Sequence, residues 1–209
     1  MDLVKSRQRV IDHGEVFTPE WMVEAMLDLV KDESERIDSR FLESACGDGN
    51  FLAQVLRRKI QAAQSRFGGS AFEFQHHALL GLMCIYGIEL LNDNVLTCRD
   101  RLLKIFAEEL NLDNGDPMLV AALKVLEANI LHGDALSMKW AGGRQGTIVV
   151  SEWAYLGKGL FQRRDFRFDE LTQLSSWDPG SFFGSPETHP GFTPVKDYPR
   201  MSVNDIANG

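Results

Sequence analysis

The sequence predicts an α/β fold built on a mostly parallel sheet. Short apolar runs of strand character alternate with long amphipathic segments, in the order helix, strand, helix, helix, strand, helix, helix, strand, strand. A tight glycine turn leads from the first strand straight into a helix, in FLESACGDGNF from Phe41 to Phe51. The next two strand candidates each carry an acid at or near their end, Glu89 in CIYGIEL and Asp134 in NILHGDAL. Strands separated by helices pair in parallel, and the expectation is helices on both faces.

Taken in order, Pro19 to Val30 reads as the first helix. Thr18 is placed to cap it and Pro19 takes the first helical position, where a missing N–H costs nothing. Met22, Val23, Met26, Leu29 and Val30 then share one face. The charged KDESERIDS is a connector, and Arg40 to Cys46 holds the first strand. The helix from Asn50 is closed by Gly68 and Gly69, and a second covers Ala71 to Leu82. Cys84 to Leu90 is a strand, Asp93 to Leu110 a long amphipathic helix and Met118 to Ala128 another. A third strand ends at Gly133 and Asp134, and Thr147 to Ser151 is the fourth.

The character changes after Trp153. Residues 156–209 hold five of the seven prolines and little periodicity. They read as an irregular C-terminal tail following a domain over 1–155.

Composition narrows the functional classes. A length of 209 residues fits one domain, and no run approaches the roughly 18 apolar residues of a membrane span. The N-terminus has no apolar signal region, and Cys46, Cys84 and Cys98 form neither a disulfide framework nor a CxxC pair. A reducing, cytoplasmic location is expected. The net charge of −8 argues against strong nonspecific nucleic-acid binding by the chain as a whole. Adjacent His76 and His77 point in different directions on a helix, and no metal site is expected.

A glycine turn at the carboxyl end of a strand is where doubly wound sheets hold adenosine cofactors. Gly47 and Gly49 allow close backbone approach, and Glu89 is placed to accept from ribose hydroxyls. That much fits NAD, FAD or S-adenosylmethionine. The dinucleotide pattern GxGxxG lacks its third glycine here. Glu43 and Asp48 also put negative charge where a pyrophosphate would lie, while a cationic sulfonium tolerates acids. The residues therefore favour S-adenosylmethionine.

Four motifs then resemble, in order, those of adenine-N6 DNA methyltransferases of restriction–modification systems, of the type with an N-terminal FTP motif. They are GEVFTP (Gly14 to Pro19), LESACGDGNFL (Leu42 to Leu52), YGIEL (Tyr86 to Leu90) and HGDAL (His132 to Leu136). The resemblance covers residues 14–136 and implies a Rossmann-like S-adenosylmethionine-dependent methyltransferase fold. By that resemblance Thr18 contacts the methionine end of the cofactor. Glu43, Ala45 and Gly47 line its methionine and ribose side, with Gly49 in the same turn. Glu89 accepts from the ribose, Ile88 or Leu90 flanks the adenine, Asp134 accepts from the adenine amine and Ala135 packs near its ring. Ser44 replaces the family's usual proline. Capping alone also explains Thr18, and a turn alone explains Asp134.

The resemblance breaks after the fourth strand. The family has [Asn/Asp]-Pro-Pro-[Tyr/Phe] there, to orient the target amine and stack on a flipped base. This chain has VVSEWAY, with Glu152 at the Asn position and Tyr155 at the aromatic one. Packing alone also explains Trp153 and Tyr155. Only about four strands are legible where the family has seven, and no target-recognition domain is obvious in these residues. Lys158, Arg163, Arg164 and Arg167 interleave with Phe161, Phe166 and Phe168, a pattern for a nucleic-acid strand or for a surface or protein contact. Three readings follow. The chain is a DNA adenine-N6 methyltransferase or its subunit, with DNA, a specificity or partner chain and self-association implied. Alternatively it is a non-catalytic cofactor-binding or assembly subunit of such a system, or a methyltransferase with another acceptor.

Overall fold

The computed structural model describes residues 18–175 and 193–209, together with Ser6, Gln8, Arg9 and Ile11. The first helix, α1, spans Glu20–Asp28. Pro19 is its N-cap and no side chain caps it, so the expected Thr18 cap is not formed. Val23 and Leu27 are its buried residues, one turn apart. Met22, Met26, Leu29 and Val30, expected on the core face, are exposed, as is Trp21 at 70%. The helix carries two apolar stripes, and the narrower one faces the core. Arg58 pins that arrangement through Glu24 and Asp28, both at 2.6 Å. The expected connector forms a further short helix, α2 (Lys31–Ser34).

Strand β1 (Phe41–Glu43) leads through the glycine turn into α3 (Asn50–Phe67). Leu52, Val55, Leu56, Ile60 and Ala63 recur at helical spacing and are buried. The next helix, α4 (Ala71–Met83), is capped by Ser70, whose hydroxyl accepts from the Glu73 N–H at 3.3 Å. One residue later β2 (Ile85–Glu89) begins, so α4 ends at the amino-terminal end of the sheet. Then follow α5 (Asn92–Leu110) and α6 (Pro117–Asn129). Asp116 caps α6 by accepting from the Met118 N–H at 2.8 Å, with Pro117 at the first position. Strand β3 (Ile130–Asp134) follows without a loop.

The main sheet has the order β1-β2-β3-β4, where β4 is Lys139–Trp140. The first three strands are parallel, and β4 pairs antiparallel with β3. The expected fourth strand is elsewhere. Residues 149–151 open a longer strand, β5 (Val149–Gly157), which pairs antiparallel with β6 (Leu160–Arg167) in a second, three-stranded sheet. Gly157, Lys158 and Gly159 all take positive φ in the turn between them.

Helices on both faces were expected, but the long ones share one face. Ile85 and Ile130 belong to a large core with α3, α4, α5 and α6. Ile88 and Leu131 point the other way, into a smaller cluster with Ile148 and Phe168, the latter opening α7 (Phe168–Ser175). The hairpin therefore starts across the second face. Asn129 fastens it: its amide donates to the Met83 and Ile85 carbonyls and accepts from the Trp153 indole, all at 3.0 Å.

The irregular tail is also corrected for the described residues. Phe161 and Ile206 are buried in the large core. Strand β7 (Lys196–Asp197) pairs with β6, and α8 (Val203–Asn208) packs on α6 behind a Ser202–Asp205 capping box. Proline content disguised a segment that completes the core by docking rather than by periodicity.

Lys59, on α3, is fully buried. Its ammonium donates to the carbonyls of Arg36 (2.8 Å), Ile37 (3.1 Å) and Ser39 (2.6 Å) and to the Ser39 hydroxyl (3.1 Å). Burial lowers its pKa to about 8, so at neutral pH it remains a cation held by neutral oxygens.

If the C-terminal helix is part of the core, Ile206→Ala should cost about 2–4 kcal/mol in urea unfolding. A cost near zero would mean that α8 is not docked in solution.

Candidate functional site

Parallel strands direct their carboxyl ends to one edge, and there the turn after β1 meets the end of β2. Gly87, inside β2, lets the turn come close: a Cβ there would lie 2.7 Å from the Cys46 sulfur. Gly49 has φ 85° and sits against α5, where a Cβ would lie 2.6 Å from the Cys98 sulfur. A hydrogen bond with the free Cys98 thiol, followed by burial, pushes the Cys46 pKa well up. Cys46 is a packed residue and not a nucleophile.

Glu89 is buried, and both of its oxygens are used. Oε2 accepts from the Gly47 N–H at 2.8 Å and Oε1 from the Leu91 N–H at 2.9 Å. One carboxylate thus ties the glycine turn to the loop after β2. Each oxygen keeps a second lone pair for a ligand.

Asp48 plays a different part from the one expected. Arg101 on α5 grips it at 2.7 Å and also bonds Asn50. Its charge is committed to fixing the start of α3, so it does not act as a free negative charge against a pyrophosphate.

Glu43 is the exception. Its Oε2 is buried and has no hydrogen-bond partner among the described residues. Burial first, then the charges of Glu89 and Asp48, push its pKa up to about 8. At neutral pH it is therefore mostly a protonated carboxyl beside the Glu89 side chain. Such a pair fits a ligand that brings positive charge and hydrogen-bond donors, and it repels an anion.

The remaining expected residues surround this edge unevenly. Ala45 is exposed in the turn, and Leu90 is half exposed where β2 ends. Asp134 ends β3 and accepts from the Leu136 N–H at 2.9 Å and the Ser137 hydroxyl at 2.7 Å, a turn that lowers its pKa. Ala135 packs against the smaller core cluster. His132, not singled out by sequence, shares a hydrogen bond of 3.0 Å with the Leu90 carbonyl and so joins the ends of β2 and β3. Residues 14–17 of the GEVFTP motif lie outside the described residues. Thr18 precedes α1, whose Glu20 accepts from Gln54 near the start of α3 at 3.1 Å. Arg9 reaches Asp93 in the first turn of α5 at 2.7 Å, bringing part of the N-terminal segment to the same edge. An open cleft of about 490 Å³ lies between α1, α3 and α5, lined by Glu20, Asn50, Arg57 and Arg101 among others, and Glu43, Glu89 and Asp134 do not line it.

Glu152 and Tyr155 are not brought to this edge. Glu152 pairs with Arg40, immediately before β1, at 2.9 Å and with Arg164 at 2.6 Å. That is the amino-terminal end of the sheet. Tyr155 lies further out, its ring centroid 5.0 Å from Phe161 and 5.1 Å from His77 of α4, with its hydroxyl accepting from the Gly159 N–H at 3.1 Å. His76 and His77 pack there among aromatic rings, and His77 stacks on Phe67 at 3.6 Å. The motif alignment fails because Val149 to Tyr155 is continuous antiparallel strand and not a loop at a strand's carboxyl end.

The basic run is largely neutralised. Arg163 pairs with Asp165, Arg164 with Glu152, and Arg167 with Asp169 and Glu170. Lys158 is exposed in the hairpin turn. Among the described residues, no group of three or more His, Cys, Asp or Glu is placed to hold a metal, and no helix is long and apolar enough to cross a membrane.

No protein-family model, curated protein or solved structure matches the chain. The likeness to methyltransferases therefore rests on the motifs and their placement.

Glu43 gives a pH signature. Its folded pKa of about 8 exceeds its ordinary 4.5, so the native state binds the proton more tightly than the unfolded chain does. The stabilisation is full below the ordinary value, declines between the two and is lost above the folded one. The unfolding free energy of the wild type should fall across that window relative to Glu43→Gln, by up to about 1.4 kcal/mol per pH unit. Parallel pH profiles would show Glu43 ionised at neutral pH.

Proposed function

We propose that the chain binds S-adenosylmethionine at the carboxyl ends of β1, β2 and β3, as a cofactor-binding subunit of an adenine-N6 DNA methyltransferase system of restriction–modification type. One observation carries the cofactor half: the buried, unpartnered Oε2 of Glu43 beside the Glu89 carboxylate. A sulfonium and an ammonium supply the positive charge this pair lacks, and ribose hydroxyls supply donors for Glu89. A pyrophosphate would bring its negative charge against Glu89 and supply no cation to ionise Glu43. In this reading Thr18, Glu43, Ala45, Gly47 and Gly49 serve the methionine and ribose side. Glu89 holds the ribose, and Leu90, Asp134 and Ala135 border the adenine.

The subunit half is supported by the positions of Glu152 and Tyr155. They lie at the end of the sheet opposite the glycine turn, so a base held by them could not meet a methyl group there. The non-catalytic, assembling role is the branch these positions favour. Transfer to DNA would use acceptor-orienting groups from another chain. The exposed Trp21, Met22 and Met26 of α1 and Leu29 at its C-cap, with Leu42 on the end strand β1, offer an apolar surface for such assembly.

Calorimetric titration should give micromolar binding of S-adenosylmethionine and none of NAD, with Glu89→Ala weakening binding at least about tenfold, near 1.4 kcal/mol. Binding of NAD in preference would overturn the cofactor reading. For assembly, the mass by sedimentation should rise with concentration above that of one chain, and Leu29→Glu should return it to the monomer. A wild type that stays monomeric up to millimolar concentration would count against self-association through α1.

A further inference from the structure

Of the charged groups at the glycine-turn edge, Glu43 stands apart from its neighbours. Glu89 is held by two backbone N–H groups, and Asp48 is held by Arg101. Glu43 has a buried oxygen with no partner among the described residues. The charges facing it are Glu89 from the end of β2 and Asp48 from the turn, both negative. The buried thiols of Cys46 and Cys98 close the wall behind the turn, and the Cys46 pKa is pushed well up. A carboxyl so placed remains protonated until a positive charge arrives.

We propose that Glu43 is the charge-selective element of this site, giving up its carboxyl proton when a sulfonium enters and retaining it when a neutral thioether does. The inference rests on the cofactor reading above and specifies how that site would tell the methylated cofactor from its demethylated product. The two ligands differ by one methyl group and one positive charge. With the sulfonium bound, the proton leaves the Glu43 oxygen for solvent and the carboxylate pairs with the sulfur cation without forming a covalent bond. With the thioether bound, there is no cation to favour ionisation and the carboxyl stays neutral. The charged cofactor is then held and the spent one released, with discrimination that grows with pH.

The test is calorimetry of the whole chain with S-adenosylmethionine and, separately, S-adenosylhomocysteine, in buffers of different ionisation enthalpy. At pH 7 the sulfonium should release close to one proton and the thioether close to none. Between pH 6.0 and 7.5 the sulfonium affinity should rise about twentyfold while the thioether affinity stays level, as expected for one group titrating near pH 8. Glu43→Gln, which keeps the shape of the neutral carboxyl, should abolish the release and flatten the pH dependence, and it separates out titration of the ligand's own amino group. Equal proton release by both ligands would place Glu43 against the shared ammonium and overturn the inference while leaving the cofactor reading intact. So would tight sulfonium binding without proton release, a result that needs no variant. Failure of both ligands to bind would overturn the cofactor reading and this inference together.

Discussion

The main sheet depends on two buried charges of opposite sign, one at each end. At the amino-terminal end Lys59 draws the carbonyls of Arg36, Ile37 and Ser39 around its ammonium and shapes the turn that feeds β1. At the carboxyl end Glu89 draws the N–H groups of Gly47 and Leu91 around its carboxylate. In each case a full charge is solvated by backbone dipoles instead of by a counter-ion, with charge-assisted hydrogen bonds offsetting the desolvation. β1 is only three residues long, so its own ladder is too short to fix it. The two charges set where it begins and where the glycine turn after it comes to rest. Removing either would leave several buried backbone groups without partners, a larger cost than loss of one surface ion pair.

Against that arrangement Glu43 is an anomaly with a physical meaning. The protein solvates Lys59 and Glu89 fully, grips Asp48 with Arg101 and satisfies Asn129 on every side. Buried polar groups are rarely left unpaired, and those that are tend to mark a site where something else binds. Glu43 ends β1, and the turn that follows it packs tightly: Gly87 makes room for the Cys46 sulfur and Gly49 for the Cys98 sulfur. Packing accounts for those two glycines, but it does not account for the acid left without a partner among the described residues beside them.

Much of this was legible from the residues. The helices from Asn50 and Ala71 and those near Asp93 and Met118 follow apolar periodicity, and the ends of β2 and β3 follow from their acids. Two features were not. On α1 both Val23/Leu27 and Met22/Met26/Leu29 recur at helical spacing, and nothing local tells which stripe meets α3. In β5, Ser151 and Trp153 point in while Ala154 and Leu156 point out, but a parallel-sheet reading of 147–151 hid that alternation. The GKG turn after it was the available signal for a hairpin. The arginine and carboxylate partners across β5, β6 and α7 are mostly close in sequence, yet they read there as a basic run.

The hairpin also changes what kind of molecule this chain can be. Ile148 and Phe168 cover the second face of the sheet, and Trp153 locks onto Asn129, so the strand carrying Glu152 and Tyr155 runs away from the glycine turn. The same contacts leave β1, with its exposed Leu42, at the end of the sheet order, while α1 turns its wider apolar stripe outward. A chain that built a complete reaction centre would not need that exposed surface. One that contributes a cofactor pocket to a larger assembly would keep its site at the carboxyl ends of its strands and its apolar surface at the open edge. The direction of β5, away from the glycine turn, is the constraint behind choosing the second case in the reading proposed above.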